Sequence, residues 1–252
     1  MTTTDSPPSP LAIEIDELAV AYDGHFDLHD VNLQVADGDI AVIVGGSGCG
    51  KTTLLKAIIG LVQPTSGTVR VLGRSAAGEE TESEQRAFQQ RLGVLFQHGA
   101  LLNSITVGEN VALPLEMHTQ MSTSMIRNIV MTRLSQVGLV HAVDLMPTEL
   151  SGGMRKRAAL ARAMALDPEI LFCDEPGAGL DPVTAAEVDN LLLTINQSLN
   201  TTIVIVTHEL LSINRLYGQL LMLDGGRVVF SGSTGEARAS SLPQLRQFFS
   251  PG

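Results

Sequence analysis

The pattern GxxxxGK[ST] at residues 45–52 constrains the fold of this chain more than any other feature of its sequence. An apolar, β-branched run at residues 40–44 precedes it and a helical pattern at 51–61 follows it, as expected when a strand leads into a phosphate loop and a helix leaves it. The glycines let successive backbone N–H groups point toward an anion, and the helix start adds its positive dipole end. The motif therefore predicts a loop that binds a polyphosphate.

Two side chains of this loop add their own chemistry. Lys51 is expected to reach the terminal phosphates as a point charge, and the Thr52 hydroxyl to coordinate the accompanying magnesium ion. Cys49 is either a small packing residue, which we favour, or a reactive thiol at a helix N-terminus. The full set of predicted phosphate-binding residues is Gly45, Gly46, Ser47, Gly48, Cys49, Gly50, Lys51, Thr52 and Thr53.

A second motif combines an apolar strand with two acids. Residues 170–173 are apolar and are followed by Asp174 and Glu175. Carboxylates at the end of a buried parallel strand require a strong functional reason. Asp174 is predicted to bind the magnesium shell and Glu175 to polarise water; the alternative is that either acid caps a helix.

Strands and helices alternate along the second half of the chain. Strand patterns at 170–173 and 202–206 separate helical patterns at 152–166, 182–199 and 209–216. This alternation predicts a parallel sheet in an α/β fold. Further strand patterns lie at 11–15, 31–35, 40–44 and 68–72, and at 220–223 and 228–231 around a hairpin turn.

The stretch from residue 81 to about 139 differs from its surroundings, since it carries mostly helical signals and few strands. A helix at 122–137 is marked by regularly spaced apolar residues and ends before Gly138. This stretch is therefore predicted to be a helical insertion. A short helix is predicted at 242–249.

Composition excludes several function classes. The 252 residues carry 27 acidic and 16 basic side chains, a formal charge of -11, which makes nucleic acid an unlikely partner. The longest apolar runs are the length of strands, far short of a membrane-spanning helix. Residues 1–10 contain no basic residue and no apolar core of a secretion signal, and only two cysteines are present. We expect a cytoplasmic protein with a disordered tail over residues 1–10.

Between the two phosphate-site motifs, residues 150–154 read LSGGM and precede an Arg-rich helix. Together with those motifs, this run resembles the ABC transporter ATPase family. The other family elements follow in the expected order, and they are Tyr22, Gln97, the segment Gly179, Leu180 and Asp181, and the pair Thr207 and His208. The resemblance covers nearly the whole chain.

The resemblance implies a P-loop NTPase (RecA-like) core with an ABC-type antiparallel β region and an inserted α-helical subdomain. It places an ABC nucleotide-binding domain at residues 11–240, with its core at about 11–98 and 167–235 and the helical subdomain at about 99–166. A short C-terminal helical tail follows at 241–252.

The resemblance also assigns roles around ATP and Mg²⁺. Tyr22 would stack on adenine, because its flat ring suits that contact. Helix-opening Ser151, Gly152 and Gly153 would bind the γ-phosphate of an ATP held by a second copy, which makes the active unit a head-to-tail, ATP-dependent homodimer. The implied catalytic residues are Glu175, His208, Gln97 and Lys51; the implied metal ligands are Thr52, Gln97 and Asp174; Asp181 completes the nucleotide-binding set.

Within the family, the LSGGM signature followed by basic residues 155–157, together with residues 110–115 and 118–120, resembles the Mla-type ATPases of phospholipid trafficking between bacterial membranes. The sequence departs from the common family pattern at Met154 and Gly177. The resemblance implies a transmembrane permease on the cytoplasmic face of the inner membrane, an MCE lipid-binding protein and a STAS-domain protein as partners.

Alternative functions remain open at this point. ATPases of amino-acid import and of lipoprotein release share the same motifs. A cytosolic ABC protein of translation or DNA repair would normally carry two nucleotide-binding units, a long coiled coil or zinc-binding cysteines, none of which this sequence shows. A module that binds ATP without hydrolysing it is disfavoured by Glu175 and His208.

Two side-chain groups have competing interpretations. Met117, Met121 and Met125 are spaced four residues apart, and core packing is favoured over a docking stripe for a permease. The basic residues of the helix after the signature are expected to form a solvated face rather than an anion site, and they are Arg155, Lys156, Arg157 and Arg162.

Overall fold

A computed structural model describes residues 10–22, 25–75 and 81–250. The strands are β1 (Leu11–Tyr22), β2 (His25–Ala36), β3 (Ile40–Gly45), β4 (Ser66–Val71), β5 (Arg74–Ser75), β6 (Leu92–Leu95), β7 (Ile170–Asp174), β8 (Thr202–Val206), β9 (Gln219–Asp224) and β10 (Arg227–Ser233). The helices are α1 (Lys51–Ile58), α2 (Glu82–Gln89), α3 (Val107–His118), α4 (Thr123–Gln136), α5 (Gly152–Ala163), α6 (Pro182–Leu199), α7 (Leu210–Leu216), α8 (Thr234–Ala239) and α9 (Pro243–Phe249).

A six-stranded sheet in the order β10-β9-β3-β8-β7-β6 forms the centre of the fold. Its first five strands from the β6 side are mutually parallel, and β10 closes the sheet as an antiparallel hairpin with β9. The residues of β3, β7 and β8 are all buried, as continuous apolar runs in a doubly covered parallel sheet should be. Their carboxyl ends therefore meet at one edge, where three of the predicted site motifs begin.

Two hydrophobic clusters lie on opposite faces of this sheet, because side chains alternate along each strand. Ile43 and Phe172 face a cluster shared with α1 and the antiparallel sheet β2-β1-β4-β5. Val42 and Cys173 face the other cluster, which includes residues of α3 to α7. The core thus has two layers, and the antiparallel sheet and α1 cover the face opposite the helices.

The helices α3, α4 and α5 lie in the chain between β6 and β7, as the predicted helical insertion requires. The insertion is nevertheless shorter than the helical stretch predicted from residue 81, because Leu92–Leu95 pairs in parallel with β7 and is a strand of the central sheet. Four residues give too short a pattern for strand periodicity to stand out. The predicted boundaries of the subdomains stay a prediction.

Several predicted elements are confirmed nearly residue for residue. The helix predicted at 182–199 is α6, capped by Asp181, and the helix predicted at 122–137 is α4, capped by Ser122. The predicted hairpin is β9–β10, whose turn residues Gly225 and Gly226 have φ of 53° and 76°. Within the described ranges, no helix is long and apolar enough to span a bilayer.

The core interpretation of the methionines is wrong. Met117, Met121 and Met125 are 68%, 38% and 53% exposed, at the end of α3 and the start of α4. Their spacing crosses the break between the two helices at residues 119–122, so a single helical periodicity does not apply to them. These three exposed side chains are named below the methionine cluster.

Candidate functional site

The loop at residues 45–50 has a backbone that requires glycine at its two ends. Gly45 has φ of 150°, and a Cβ there would lie 2.3 Å from the carbonyl oxygen of Leu223. Gly50 has φ of 100°, and a Cβ would lie 2.6 Å from Cδ2 of Leu28. A side chain at either position would displace the loop from the strand beneath it. The glycine pattern therefore specifies the curvature of an anion-binding loop.

Lys51 lies across this loop. Its ammonium donates hydrogen bonds to the carbonyl oxygens of Gly45 (2.9 Å) and Gly46 (2.8 Å). Thr52 is exposed, whereas the Thr53 hydroxyl donates to the carboxylate of Asp27. The ammonium and the Thr52 hydroxyl are thus available at the loop, and Thr53 is held by a residue of β2.

Cys49 is buried, 6% exposed, within the cluster shared by α1 and the antiparallel sheet. Its Sγ lies 3.8 Å from Lys51 Nζ. This burial agrees with the favoured interpretation of Cys49 as a packing residue.

Asp174 and Glu175 occupy the carboxyl end of β7. Burial, and next the like charge of Glu175, raise the pKa of the Asp174 carboxyl, while Lys156 and Lys51 oppose that shift. Neither acid caps a helix, because α6 begins at Pro182 with Asp181 as its cap. The capping alternative is therefore wrong, and two carboxylates stay buried at the end of a strand.

Glu175 has an unusual backbone and a partly satisfied side chain. Its φ is +48°, and its N–H donates to the carbonyl oxygen of Val206 at 2.8 Å. Oε1 lies 2.7 Å from Nδ1 of His208, and buried Oε2 has no hydrogen-bond partner among the described residues. A strained residue with an unpaired buried carboxylate oxygen is typical of a site whose ligand completes it.

The signature residues open α5. The Ser151 hydroxyl accepts a hydrogen bond from the N–H of Met154 (3.2 Å) and so caps the helix. A Cβ on Gly153 would lie 2.4 Å from Cγ2 of Thr184 on α6, so glycine allows the two helices to pack closely. Ser151 is exposed at a helix N-terminus, where backbone N–H groups point outward.

A cavity of about 180 Å³ brings several predicted residues together. The predicted residues Gln97, Gly152 and Gly179 line it, together with Lys156. It therefore joins the loop after β6, the signature and the segment before α6, which lie far apart in the sequence.

Asp181 is engaged as the cap of α6. It accepts hydrogen bonds from the N–H groups of Val183 (3.0 Å) and Thr184 (3.1 Å). The Thr184 hydroxyl bond lowers the pKa of this carboxyl. A direct contact of Asp181 with nucleotide stays a prediction. Tyr22 ends β1, but its side chain lies outside what the structure describes.

The interpretation of the basic residues on α5 as a solvated face is wrong for Lys156, which is buried, and for Arg157 and Arg162, which are half-buried, whereas Arg155 is exposed. Lys156 is 7% exposed, and Arg162 donates to the carbonyl oxygens of Gly99 (2.9 Å) and Ala100 (2.7 Å). Arg155 donates to the carbonyl of Leu150 (2.8 Å), and Arg157 contacts Val137 O at 3.4 Å. These side chains satisfy the carbonyl groups of loops that have no regular partners.

Lys156 is the site residue that sequence reasoning missed. Its ammonium donates to the carbonyl oxygens of Gln97 (2.5 Å) and Glu175 (2.9 Å). A signal was present in the sequence, because Gly153, Lys156 and Leu160 follow the i, i+3, i+7 spacing of one helix face, and that face is buried.

Comparison with known proteins agrees with this geometry. Residues 28–178, more than half of the chain, match the family model described as ABC transporter. "Probable ribonucleotide transport ATP-binding protein mkl" of Mycobacterium tuberculosis is 39% identical over 98% of this chain and 68% of its own length. "Intermembrane phospholipid transport system ATP-binding protein MlaF" of Haemophilus influenzae is 37% identical over 94% and 89%, and "Methionine import ATP-binding protein MetN" of the same species is 40% identical over 88% and 64%.

Solved structures give the same result for the fold. The ATP-binding cassette MJ0796, in a dimeric post-hydrolysis state bound to ADP and Pi, superposes with a TM-score of 0.79 at 30% identity, covering 88% of this chain and 98% of that one. The strand–loop–helix at residues 40–58, the acids after β7 and the capped signature helix occur here on that fold. The chain therefore belongs to the ABC transporter family, as a subunit that binds and hydrolyses ATP.

Proposed function

We propose that this chain dimerises on ATP and powers a membrane permease, and that its cargo is phospholipid moved between bacterial membranes. The observation that carries the hydrolytic part is the buried Glu175 carboxylate, which contacts His208 through one oxygen and has no partner for the other oxygen in the described part of the chain. A carboxylate in that state is suited to accept a proton from attacking water.

A magnesium ion fits the residues at this edge of the sheet. The pKa of Asp174 is raised by burial and by Glu175, so a divalent cation beside it would relieve the cost of two neighbouring carboxylates. Thr52, Gln97 and Asp174 are the proposed ligands, and the ion would neutralise phosphate charge when bound. Lys51 binds the terminal phosphates, to which its flexible ammonium can move from the loop carbonyls.

The dimer is supported by MJ0796, a cassette whose solved structure is dimeric. In the proposed arrangement, Ser151, Gly152 and Gly153 of one copy face the phosphate loop of the other. The exposure of Ser151 at the start of α5 supports this, because a helix N-terminus stabilises an anion.

The cargo is proposed from similarity. The MlaF relative, described as part of an intermembrane phospholipid transport system, is 37% identical over 94% of this chain and 89% of its own length. The proposed partners are a permease at the cytoplasmic face of the inner membrane, an MCE protein and a STAS-domain protein. A second candidate is amino-acid import, favoured by the 40% identity to the methionine-import subunit.

Two experiments test these proposals. Glu175→Gln should bind ATP, accumulate as a dimer in size-exclusion chromatography with ATP, and lose about 100-fold or more in kcat; hydrolysis at the parental rate would remove Glu175 as the base. Purification of the tagged chain from detergent-solubilised membranes should recover a permease with an MCE protein. Recovery of an amino-acid permease, with methionine-stimulated hydrolysis, would favour the second candidate.

A further inference from the structure

Lys156 is the buried cation between the helical insertion and the catalytic edge of the sheet. It lies on α5, which begins at the signature, yet its ammonium bonds to the loop after β6 and to the end of β7. These two acceptors are 59 and 19 residues away in sequence. One side chain thus ties together three segments that belong to different parts of the fold.

The bond to Glu175 matters because of that residue's backbone. The Glu175 N–H donates to Val206 O on β8, and its C=O accepts from Lys156 Nζ on α5 at 2.9 Å and from the N–H of Ala178 at 3.2 Å. With φ of +48°, a non-glycine residue keeps this conformation only where its surroundings hold it. These bonds hold the backbone from which the carboxylate projects, and His208 contacts the carboxylate itself at Oε1.

The Lys156 ammonium also lies among acidic groups that favour its charged form. Asp174, Glu175 and Glu209 carry the acidic groups that interact with it, along with the Cys173 thiol, while burial lowers the pKa of Lys156. A buried charge is tolerated only where hydrogen bonds and opposite charges offset its desolvation. The presence of a buried charge at Lys156 therefore indicates a role for this side chain beyond the packing of α5.

We propose that Lys156 is a positioning residue, which holds the backbone of Glu175 and of Gln97 in the arrangement that hydrolysis needs and so makes that arrangement depend on the position of α5. This inference rests on the proposed role of Glu175. A tilt of the helical insertion that withdraws α5 would remove the lysine bond from both carbonyls at once and leave the Glu175 carbonyl with only its bond from Ala178, so movement of the signature and alignment of the carboxylate are linked.

The test compares Lys156→Met, which keeps the side-chain length without donors, with Lys156→Gln, which keeps donors without charge. Lys156→Met should lower kcat about 100-fold, because small misplacements of reacting groups have effects of that size, with the KM for MgATP changed less than about threefold. Lys156→Gln should recover kcat to within about tenfold of the parent. Arg133→Met is the matched control, since it removes another buried cation, 6% exposed, from α4 of the same insertion.

Arg133→Met should lower the thermal midpoint yet keep kcat within about twofold. The proposal is overturned if folded Lys156→Met retains the parental kcat, if its KM rises with kcat unchanged, or if Lys156→Gln is as impaired as Lys156→Met. Glu175→Gln, assayed in parallel, separates the two hypotheses. If Glu175→Gln hydrolyses ATP at the parental rate, the assignment of Glu175 as the base is wrong. If Glu175→Gln loses hydrolysis while Lys156→Met keeps the parental kcat, only the positioning role of Lys156 is wrong.

Discussion

The imidazole Nδ1 of His208 lies 2.7 Å from Oε1 of Glu175, and this contact joins the ends of the adjacent strands β7 and β8. Glu175 is almost buried, whereas the His208 side chain is 64% exposed. The histidine therefore lies at the surface of the site, where it can contact both the carboxylate and a bound phosphate.

Removing this histidine should impair turnover more than binding. For His208→Ala we expect kcat to fall about 100-fold while the KM for ATP stays within about threefold, because a group that orients an acid–base catalyst acts on the chemical step. Steady-state phosphate release measures both. His141→Ala, an exposed histidine of the helical insertion, is the control and should be unchanged. Equal turnover of His208→Ala and parent would contradict the assignment.

Gly177, where the sequence departs from the common family pattern, is closely packed. A Cβ there would lie 3.1 Å from Oε2 of Glu209 and 3.4 Å from Cβ of Ala185. We expect Gly177→Thr to lower the free energy of unfolding by about 1–3 kcal/mol through overpacking. Adding Glu209→Ala should recover part of this loss in the free energy of unfolding. In urea unfolding, the interaction energy between the two substitutions should be at least about 0.5 kcal/mol.

Gly235→Ala on α8 serves as the comparison, because its Cβ would meet only Ser233 Oγ, at 3.9 Å. Strict additivity of Gly177→Thr and Glu209→Ala would show that the carboxylate of Glu209 does not explain the glycine.

The ion pair between buried Asp189 and partly exposed Arg215 joins α6 to α7. Asp189 is fully buried, one of its oxygens accepts from Arg215 Nη1 at 3.0 Å, and the other has no partner among the described residues. Arg215→Met should cost about 3 kcal/mol in urea unfolding at neutral pH, because it leaves a buried carboxylate without its cation. Asp189→Asn in that background should recover most of the loss.

The loss of stability in Arg215→Met should depend on pH. Burial raises the pKa of Asp189 above 3.8, while Ser212 and Arg215 lower it, so Arg215→Met raises it further. A carboxyl whose folded pKa is raised binds more protons in the folded state, and stability then increases as pH falls toward and through that pKa. The difference in the free energy of unfolding between Arg215→Met and the parent should therefore decrease from pH 7.5 to pH 5. The same difference should not change with pH when Asp189→Asn is also present.

The capping box at the start of α3 gives a pH dependence of stability with the opposite sign, because the pKa of its carboxyl is lowered rather than raised. Hydrogen bonds from the Thr106 backbone and then its hydroxyl lower the pKa of Glu109 below 4.5. Its contribution to stability is complete above pH 4.5 and is lost as pH falls through the folded pKa. Glu109→Gln should flatten the acid limb of thermal stability. Thr106→Ala should lower the free energy of unfolding by about 1 kcal/mol, as loss of a helix cap does. An unchanged acid limb in Glu109→Gln would contradict this account.

Sequence predicted the parts of this fold that local patterns determine. The strands β3, β7 and β8 appear as continuous apolar runs because both their faces are covered. The phosphate loop follows from glycines that no other residue can replace, such as Gly45. Helix α6 follows from its cap at Asp181 and the proline after it.

What sequence could not predict depends on contacts distant in the chain. Helical spacing places Lys156 on the buried face of α5, but only the tertiary positions of Gln97 and Glu175 show which groups accept hydrogen bonds from its ammonium. The strand β6 is four residues long and is specified by its neighbour β7 rather than by its own pattern. The contact of His208 with Glu175 likewise depends on the order of strands in the sheet.

The methionine cluster gives the prediction that bears on the permease. Met117, Met121 and Met125 are exposed, and flexible, polarisable side chains suit a surface that adapts to a partner. Their joint replacement by Ala should leave the unfolding free energy within about 0.5 kcal/mol, as for surface positions, and should leave basal hydrolysis intact. Stimulation of hydrolysis by a co-purified permease should fall about tenfold, because interface energy is concentrated in few side chains. Leu61→Ala with Leu199→Ala, which removes exposed apolar groups elsewhere, is the control. Full stimulation of the folded triple variant would show that the permease binds another surface.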